Sequence, residues 1–188
     1  SLSPGNKLTP PAVKALLDSG ETRIDGFILP GHVSAIIGVR GWRFIAEEYG
    51  MPCVVAGFED RDLVAATLLM AQMIKNKKAD ILNAYTRVVK ENGNERAQEV
   101  MDRVFCTGDA EWRGIGVIPE SACEIREEFG EFDAFRKFPV TPPEPIEPKG
   151  CRCGEVLTGL ISPTECGLFA KVCTPEHPVG PCMVSTEG

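Results

Sequence analysis

Five of the eight cysteines of this chain lie in its last fifth, and their residue type and grouping are those of a metal site. In chain order these cysteines are Cys151, Cys153, Cys166, Cys173 and Cys182. Thiolates are soft ligands, and four of them suit either a tetrahedral zinc ion or an iron–sulfur cluster. The grouping therefore predicts a metal or iron–sulfur module at this end of the chain.

The spacing of these cysteines does not select the metal. One residue separates the first two, and then twelve, six and eight residues separate the successive cysteines. The C-x2-C pairs of zinc knuckles and the C-x2-C-x2-C run of ferredoxins are both absent from the sequence. Cys151 and Cys153 are also close enough in sequence to form a strained disulfide, so thiol–disulfide exchange is an alternative to metal binding.

Glycines and prolines surround the clustered cysteines in "CGEVLTG", "SPTEC" and "CTPEHPVGPC". They predict tight turns whose free backbone N–H groups can hydrogen-bond to ligand sulfurs. His177 is a further ligand candidate, although its context favours an exposed loop histidine. Among the other cysteines, Cys53 lies in an apolar strand and is predicted to be a small buried hydrophobe.

Charge and hydropathy exclude two classes of partner. The net charge of −7 and the isoelectric point near 5.0 argue against a nucleic-acid surface, and no apolar run approaches membrane-spanning length. The N-terminal stretch lacks the features of a signal peptide, so we expect a cytoplasmic protein with reduced thiols. Because the chain begins at Ser1 without a methionine, we also expect it to be processed or cut.

Alternating strand and helix patterns predict an α/β fold with a parallel, Rossmann-like sheet. The lobe is predicted over residues 1–138, with a proline-rich linker over 139–149 and a cysteine-rich module over 150–188. The stretch 60–78 is the strongest predicted helix, and its apolar face is expected along Leu63, Thr67, Met70 and Ile74. "WRGIGVIP" is predicted as a glycine-interrupted strand, and the stretch 121–138 as a polar helix or two turns.

Three polar residues follow predicted strands, at the edge where parallel sheets form ligand crevices. His32 begins the short helix of "PGHVSAIIG", where it could donate a hydrogen bond or a proton near an anionic ligand. Glu59 and Asp62 follow the second strand and could act as an acid–base pair. The alternatives are that His32 caps its helix or packs against the next loop, and that Asp60 and Asp62 cap the long helix, with Asp60 the expected cap.

Four segments resemble the HypD family of hydrogenase-maturation factors: "PGHVSAIIG", "VVAGFEDRD", "WRGIGVIPES" and the cysteine-rich stretch 150–188. The resemblance implies two α/β lobes facing a cleft and a [4Fe-4S] cluster held by C-terminal cysteines. It also implies a role in assembling the Fe(CN)2CO unit of [NiFe] hydrogenases together with a HypC-type chaperone. In the same resemblance, a HypE-type protein delivers the cyanide. The chain would be a metallochaperone scaffold with an electron-transfer role rather than a turnover enzyme.

By motif, Cys151, Cys166 and Cys173 match the cluster ligands, and Cys182 could be the fourth. Ala170 stands where the family usually has glycine. The "CGxHE" and "GPGCPVC" signatures of the family do not occur in these residues, so the chain is expected to be the second half of such a protein. Two alternatives remain open: a zinc-stapled α/β binding domain and a thiol–disulfide oxidoreductase.

Overall fold

The structure, a computed structural model, describes residues 5–112, 114–139 and 148–184. Contacts group the chain into two compact units. We call Ile24–Phe105 the sheet unit, and Ser1–Arg23 together with Cys106–Gly188 the cysteine unit. The predicted division at 139–149 stays a prediction, because residues 140–147 lie outside the described part of the chain.

The described elements alternate between helices and short strands. In chain order they are α1 (Thr9–Asp18), β1 (Phe27–Pro30), α2 (Gly31–Ile37), α3 (Arg43–Tyr49), β2 (Cys53–Ala56), α4 (Asp60–Lys75), β3 (Ile81–Asn83), α5 (Glu95–Val104), β4 (Phe105–Trp112), β5 (Gly116–Ile125), α6 (Ala134–Lys137) and α7 (Cys153–Leu157). Four 3-10 turns lie at Arg40–Trp42, Glu127–Phe132, Pro163–Glu165 and Pro181–Met183. Within the described ranges, no helix is long and apolar enough to cross a membrane.

The sheet unit is built on three parallel strands in the order β1-β2-β3. Phe27 pairs with Cys53, and Cys53 pairs in turn with Ile81. The central strand β2 is β-branched and buried along its whole length, as expected for a strand covered on both faces. These strands confirm the prediction of an α/β fold with a parallel sheet.

Helix α4 packs on this sheet with a different face from the one that the sequence predicted. Its buried residues are Asp62, Ala66, Met70 and Met73. Leu63 and Ile74 are 45% and 43% exposed, and Thr67 is exposed as well. The predicted face was therefore wrong except at Met70. The sequence misled because α4 carries apolar residues on adjoining sides, and only contact with β2 decides which side is buried.

The cysteine unit contains a two-stranded sheet, β4-β5, against which α1 packs. The segment before α1 is tied to β5 by backbone hydrogen bonds from Leu8 N–H to Ser121 O and from Cys123 N–H to Asn6 O. The interruption predicted in the "WRGIGVIP" strand is a complete break between two strands, because Trp112 ends β4 and a turn precedes β5 at Gly116.

The stretch from Ser121 onward also differs from its prediction. Ser121–Ile125 completes β5, and only the residues that follow form the two short helical segments, Glu127–Phe132 and α6. The polar-helix alternative was therefore wrong. The run of acidic residues suggested a helix, whereas Ser121, Cys123 and Ile125 alternate as buried positions of a strand.

Truncation of neighbouring α4 residues tests the observed packing face. Met73 is 3% exposed, so we expect Met73→Ala to lower the free energy of unfolding by about 2–4 kcal/mol. Ile74→Ala should cost below about 1 kcal/mol, because that side chain is half exposed. Urea unfolding of both variants measures the difference. A larger loss for Ile74→Ala would restore the face predicted from the sequence.

Candidate functional site

The clustered cysteines of the cysteine unit converge on one small, apolar cavity. Cys151, Cys166, Cys173 and Cys182 all line it. The remaining wall is apolar and is formed by Val156, Pro163, Leu168, Phe169 and Met183. The four cysteines that the sequence analysis proposed as cluster ligands are thus brought together around one cavity with an apolar wall.

Short turns, rather than long helices, position these thiols. Cys166 follows the 3-10 turn Pro163–Glu165, whose start is fixed by a reciprocal capping box between Ser162 and Glu165. Cys173 forms an isolated bridge with Phe169. Cys182 lies inside the 3-10 turn Pro181–Met183. The glycine- and proline-rich sequence around the cysteines is what makes these turns possible.

Backbone N–H groups point at two of the sulfurs. The N–H of Val179 donates to Cys173 Sγ at 3.3 Å. The N–H groups of Leu168 and Arg152 lower the pKa of the Cys166 thiol. Hydrogen bonds of this kind favour the thiolate, which is the form that binds metal.

Cys153 differs from the other clustered cysteines because it is buried and does not line the cavity. Burial, assisted by a hydrogen bond with Cys182, raises its pKa to about 12. The N–H of Cys182 also donates to Cys153 Sγ at 3.1 Å. Cys153 is therefore a neutral thiol whose neighbour is Cys182, and thiol–disulfide exchange between Cys151 and Cys153 is not favoured.

The cysteines around the cavity are not grouped as the ligands of a single metal ion would be. Among the described residues, no three His, Cys, Asp or Glu side chains lie close enough to hold one metal ion. A [4Fe-4S] cluster instead takes each cysteine on a different iron, so its ligand sulfurs surround a cavity without meeting at one point. His177 is exposed and belongs to a turn with Thr174, so it is not among the residues of the cavity.

A second group of candidate residues lies at the carboxyl edge of the parallel sheet. His32 follows β1, Phe58 and Glu59 follow β2, and Tyr85 follows β3. The His32 and Phe58 rings contact each other, with centroids 5.2 Å apart and an interplanar angle of 36°. Both side chains are exposed, so this ring pair is accessible at the sheet edge.

Tyr85 packs against the start of α2 and against the loop that follows β2. A Cβ atom on Gly31 or on Gly57 would lie only 2.7 Å from the Tyr85 ring. Tyr85 is held in turn because its N–H donates to Asn83 Oδ1, while Asn83 Nδ2 donates to Val89 O. Glycine is thus required at both positions, because Ala56 O beside Gly31, the Asp62 carboxylate beside Gly57 and the Tyr85 ring beside both leave no room for a Cβ atom.

Asp62 and Glu59 form a capping box at the start of α4, and both carboxylates pair with Arg87. Glu59, and not Asp60, is the N-cap residue, and Asp62 completes the box from the third position. Arg87 donates to both Asp62 carboxylate oxygens, at 2.7 and 2.6 Å, and lies 3.2 Å from Glu59. The expectation that Asp60 caps this helix was therefore wrong.

The Arg87 guanidinium holds the pKa of the Asp62 carboxyl below its usual range. A depressed pKa favours the carboxylate and makes it a weak base. Arg87 also lies over the Tyr85 ring, 4.4 Å from its centroid. The observed role of Asp62 is to fix Arg87 at the sheet edge, and the acid–base role predicted for His32, Glu59 and Asp62 stays a prediction.

Comparison with known proteins identifies the family of this chain. The HypD sequence profile, described as "Hydrogenase formation hypA family", matches residues 1–188. This chain belongs to the HypD family.

Curated relatives of the HypD family agree over nearly the whole chain. It is 44% identical to the hydrogenase maturation factor HypD of Cupriavidus necator, with 96% of this chain and 50% of that protein covered. It is 43% identical to the hydrogenase expression/formation protein HupD of Azotobacter chroococcum, with 96% and 49% covered. It is 45% identical to HypD of Rhodobacter capsulatus, with 95% and 49% covered. The chain therefore spans about half the length of the curated HypD relatives it matches.

The sequence analysis missed Tyr85 and Arg87, which organise the sheet edge of this HypD-family chain. A signal for them was present, because "ILNAYTR" places both residues directly after β3. The reasoning that selected His32 and Glu59 from the ends of β1 and β2 applies equally to that strand. The short segment around β3 was compatible with a strand or with an extended connection, so its end did not mark a sheet edge.

Removing the Asp62 charge should change how stability depends on pH. Asp62 has a lowered pKa in the fold, so its stabilisation is present above its unfolded pKa of about 3.9 and is lost as pH falls through the folded value. We expect Asp62→Asn to be less stable than the parent at pH 7, with the gap closing below about pH 4. Urea unfolding between pH 7 and pH 3 measures the gap, with Asp60→Asn as the matched control. A gap that is independent of pH would contradict the ion pair.

Replacement of Ala170 by glycine should stabilise the turn between Cys166 and Cys173. Ala170 has a left-handed backbone with φ of +54°, which glycine adopts without steric cost. Because glycine also gains entropy in the unfolded chain, the expected net stabilisation is about 0.5–1 kcal/mol. Ala71→Gly in helix α4 should instead destabilise by a similar amount. Urea unfolding measures both changes, and a loss of stability in Ala170→Gly would contradict the backbone geometry.

Proposed function

We propose that this chain is the iron–sulfur part of a hydrogenase maturation factor. The observation that carries the proposal is the apolar cavity lined by four cysteines, found in a chain whose relatives are named hydrogenase maturation factors. Cys151, Cys166 and Cys173 would hold a [4Fe-4S] cluster. Cys182 is the candidate fourth ligand. Its assignment as a ligand is the weakest of the four, because Cys182 also contacts Cys153.

A bound cluster would supply one-electron chemistry, and the protein's own groups would adapt the cavity to it. Leu168 and Phe169 contribute to the apolar wall of the cavity. The N–H groups directed at Cys166 and Cys173 stabilise negative charge on ligand sulfurs, which favours the reduced state of a cluster. The chain would therefore act as a scaffold with an electron-transfer role.

The cargo of the complete protein is proposed to be the Fe(CN)2CO unit of [NiFe] hydrogenases. A HypC-type chaperone would carry the unit with it, and a HypE-type protein would supply the cyanide. The carboxyl edge of the parallel sheet, with His32 and Phe58 exposed and Arg87 held beside them, would form one wall of the site that holds this unit. Cysteine ligands need a reducing compartment, and this supports a cytoplasmic location.

Metal analysis of cysteine variants tests the cluster. The protein, purified and reconstituted without oxygen, should contain about four iron and four sulfide per chain and absorb near 400 nm. Cys166→Ser and Cys173→Ser should each lose most of the iron. Cys106→Ser is the matched control, because Cys106 belongs to the same unit but lies outside the cavity.

Two further variants sharpen the ligand assignment. Cys153→Ser should retain iron, because Cys153 is a buried neutral thiol outside the cavity. Cys182→Ser should lose iron if Cys182 is the fourth ligand. Zinc near one equivalent without iron, or equal iron in Cys106→Ser and Cys166→Ser, would refute the proposed cluster.

A further inference from the structure

A second cavity lies directly beside the cysteine cavity. It has a volume of about 230 Å³ and is more polar than its neighbour. Its wall includes Pro148, Arg152, Glu155 and Pro181, together with the thiols of Cys151 and Cys153. We call it the outer cavity, and the cavity lined by Cys166, Cys173 and Cys182 the inner cavity.

Cys151 lines both cavities. Cys166, Cys173 and Cys182 line the inner cavity and are not part of the outer wall. Cys153 also borders the outer cavity, but it is buried, whereas Cys151 is partly exposed. A solute in the outer cavity therefore meets Cys151 as the first exposed cysteine on the way inward.

The wall of the outer cavity combines closely packed backbone with exposed side chains. Its backbone is fixed where Gly154 lies against Gly114, since a Cβ atom on Gly154 would lie 2.5 Å from Gly114 O. Arg152 and Glu155 instead contribute long side chains that are 42% and 43% exposed and paired with each other. An exposed ion pair of this kind contributes little stability, so these two side chains can move aside at small cost.

We propose that the outer cavity is the access route by which ferrous iron and small thiols reach the inner cavity, and that Cys151 is the residue that receives them. When iron binds there, the Cys151 thiol releases its proton to solvent in the outer cavity and its sulfur becomes the ligand. The part of the proposal that concerns iron rests on the proposed iron–sulfur function. The part that concerns access to Cys151 does not.

Alkylation of the metal-free, reduced protein by iodoacetamide tests access independently of any cluster. Each cysteine is followed by mass spectrometry, and Cys166 serves as an internal reference because it is absent from the outer wall. Glu155→Trp fills the outer cavity and should slow alkylation of Cys151 by about fivefold or more, with Cys166 unchanged. Glu155→Gln, which keeps the size, and Lys171→Trp, which adds bulk on an exposed residue outside both cavities, should each stay within about twofold of the parent.

Iron uptake provides the second measurement. With ferrous iron and sulfide, Glu155→Trp should take up iron more slowly than the parent but reach the same final iron content. Equal Cys151 alkylation rates in Glu155→Trp and the parent would overturn the access route, whatever the iron result. Absence of iron from every variant, including the parent, would instead overturn the proposed cluster, and alkylation would still decide the route. Circular dichroism verifies folding, and Glu155→Phe replaces Glu155→Trp if the larger residue unfolds the chain.

Discussion

Sulfur ligands in an apolar cavity require hydrogen-bond donors, and this requirement accounts for the local structure around Cys166 and Cys173. A residue inside a long helix commits its N–H to the helix itself, whereas turns leave N–H groups available for other acceptors. The described part of the cysteine-bearing tail contains only α7 and two 3-10 turns as helical elements. The N–H of Val179 can therefore reach Cys173, and those of Leu168 and Arg152 can reach Cys166.

The same environment separates two kinds of cysteine. Cys166 has a lowered pKa and lines the inner cavity, so it is suited to bind metal. Cys153 is only two residues beyond Cys151, yet burial raises its pKa to about 12. Its sulfur accepts a hydrogen bond from the N–H of Cys182. Proximity in sequence is therefore a poor guide to which thiols act together here.

The sheet edge shows a comparable dependence on a few contacts. Tyr85 lies against the backbones of Gly31 and Gly57, and Arg87 joins Tyr85 to Asp62. These residues hold the start of α2, which carries His32, and the loop that carries Phe58. Because the carboxyl edge of a parallel sheet is where α/β proteins bind ligands, an ordered frame at this edge is consistent with the proposed cargo site.

Several of these features could be predicted from sequence, and the reasons for the failures are physical. Local patterns were sufficient for β2 and the parallel sheet, because a short β-branched run between helices has few alternative structures. The buried face of α4 could not be predicted, because apolar residues on adjoining sides leave the choice to tertiary contact. Arg87 was missed because its role depends on a partner, Asp62, that is distant in sequence. The difference between Cys153 and Cys166 depends on burial and hydrogen bonding, which spacing alone does not encode.

Electron paramagnetic resonance of the anaerobically purified, dithionite-reduced protein tests the central claim most directly, because it detects the cluster itself. A reduced [4Fe-4S] centre held by cysteines is expected to give a paramagnetic signal that integrates to near one spin per chain and disappears in a variant lacking the Cys166 sulfur. A folded, metal-replete protein that is silent when reduced, with zinc as its metal, would contradict the account.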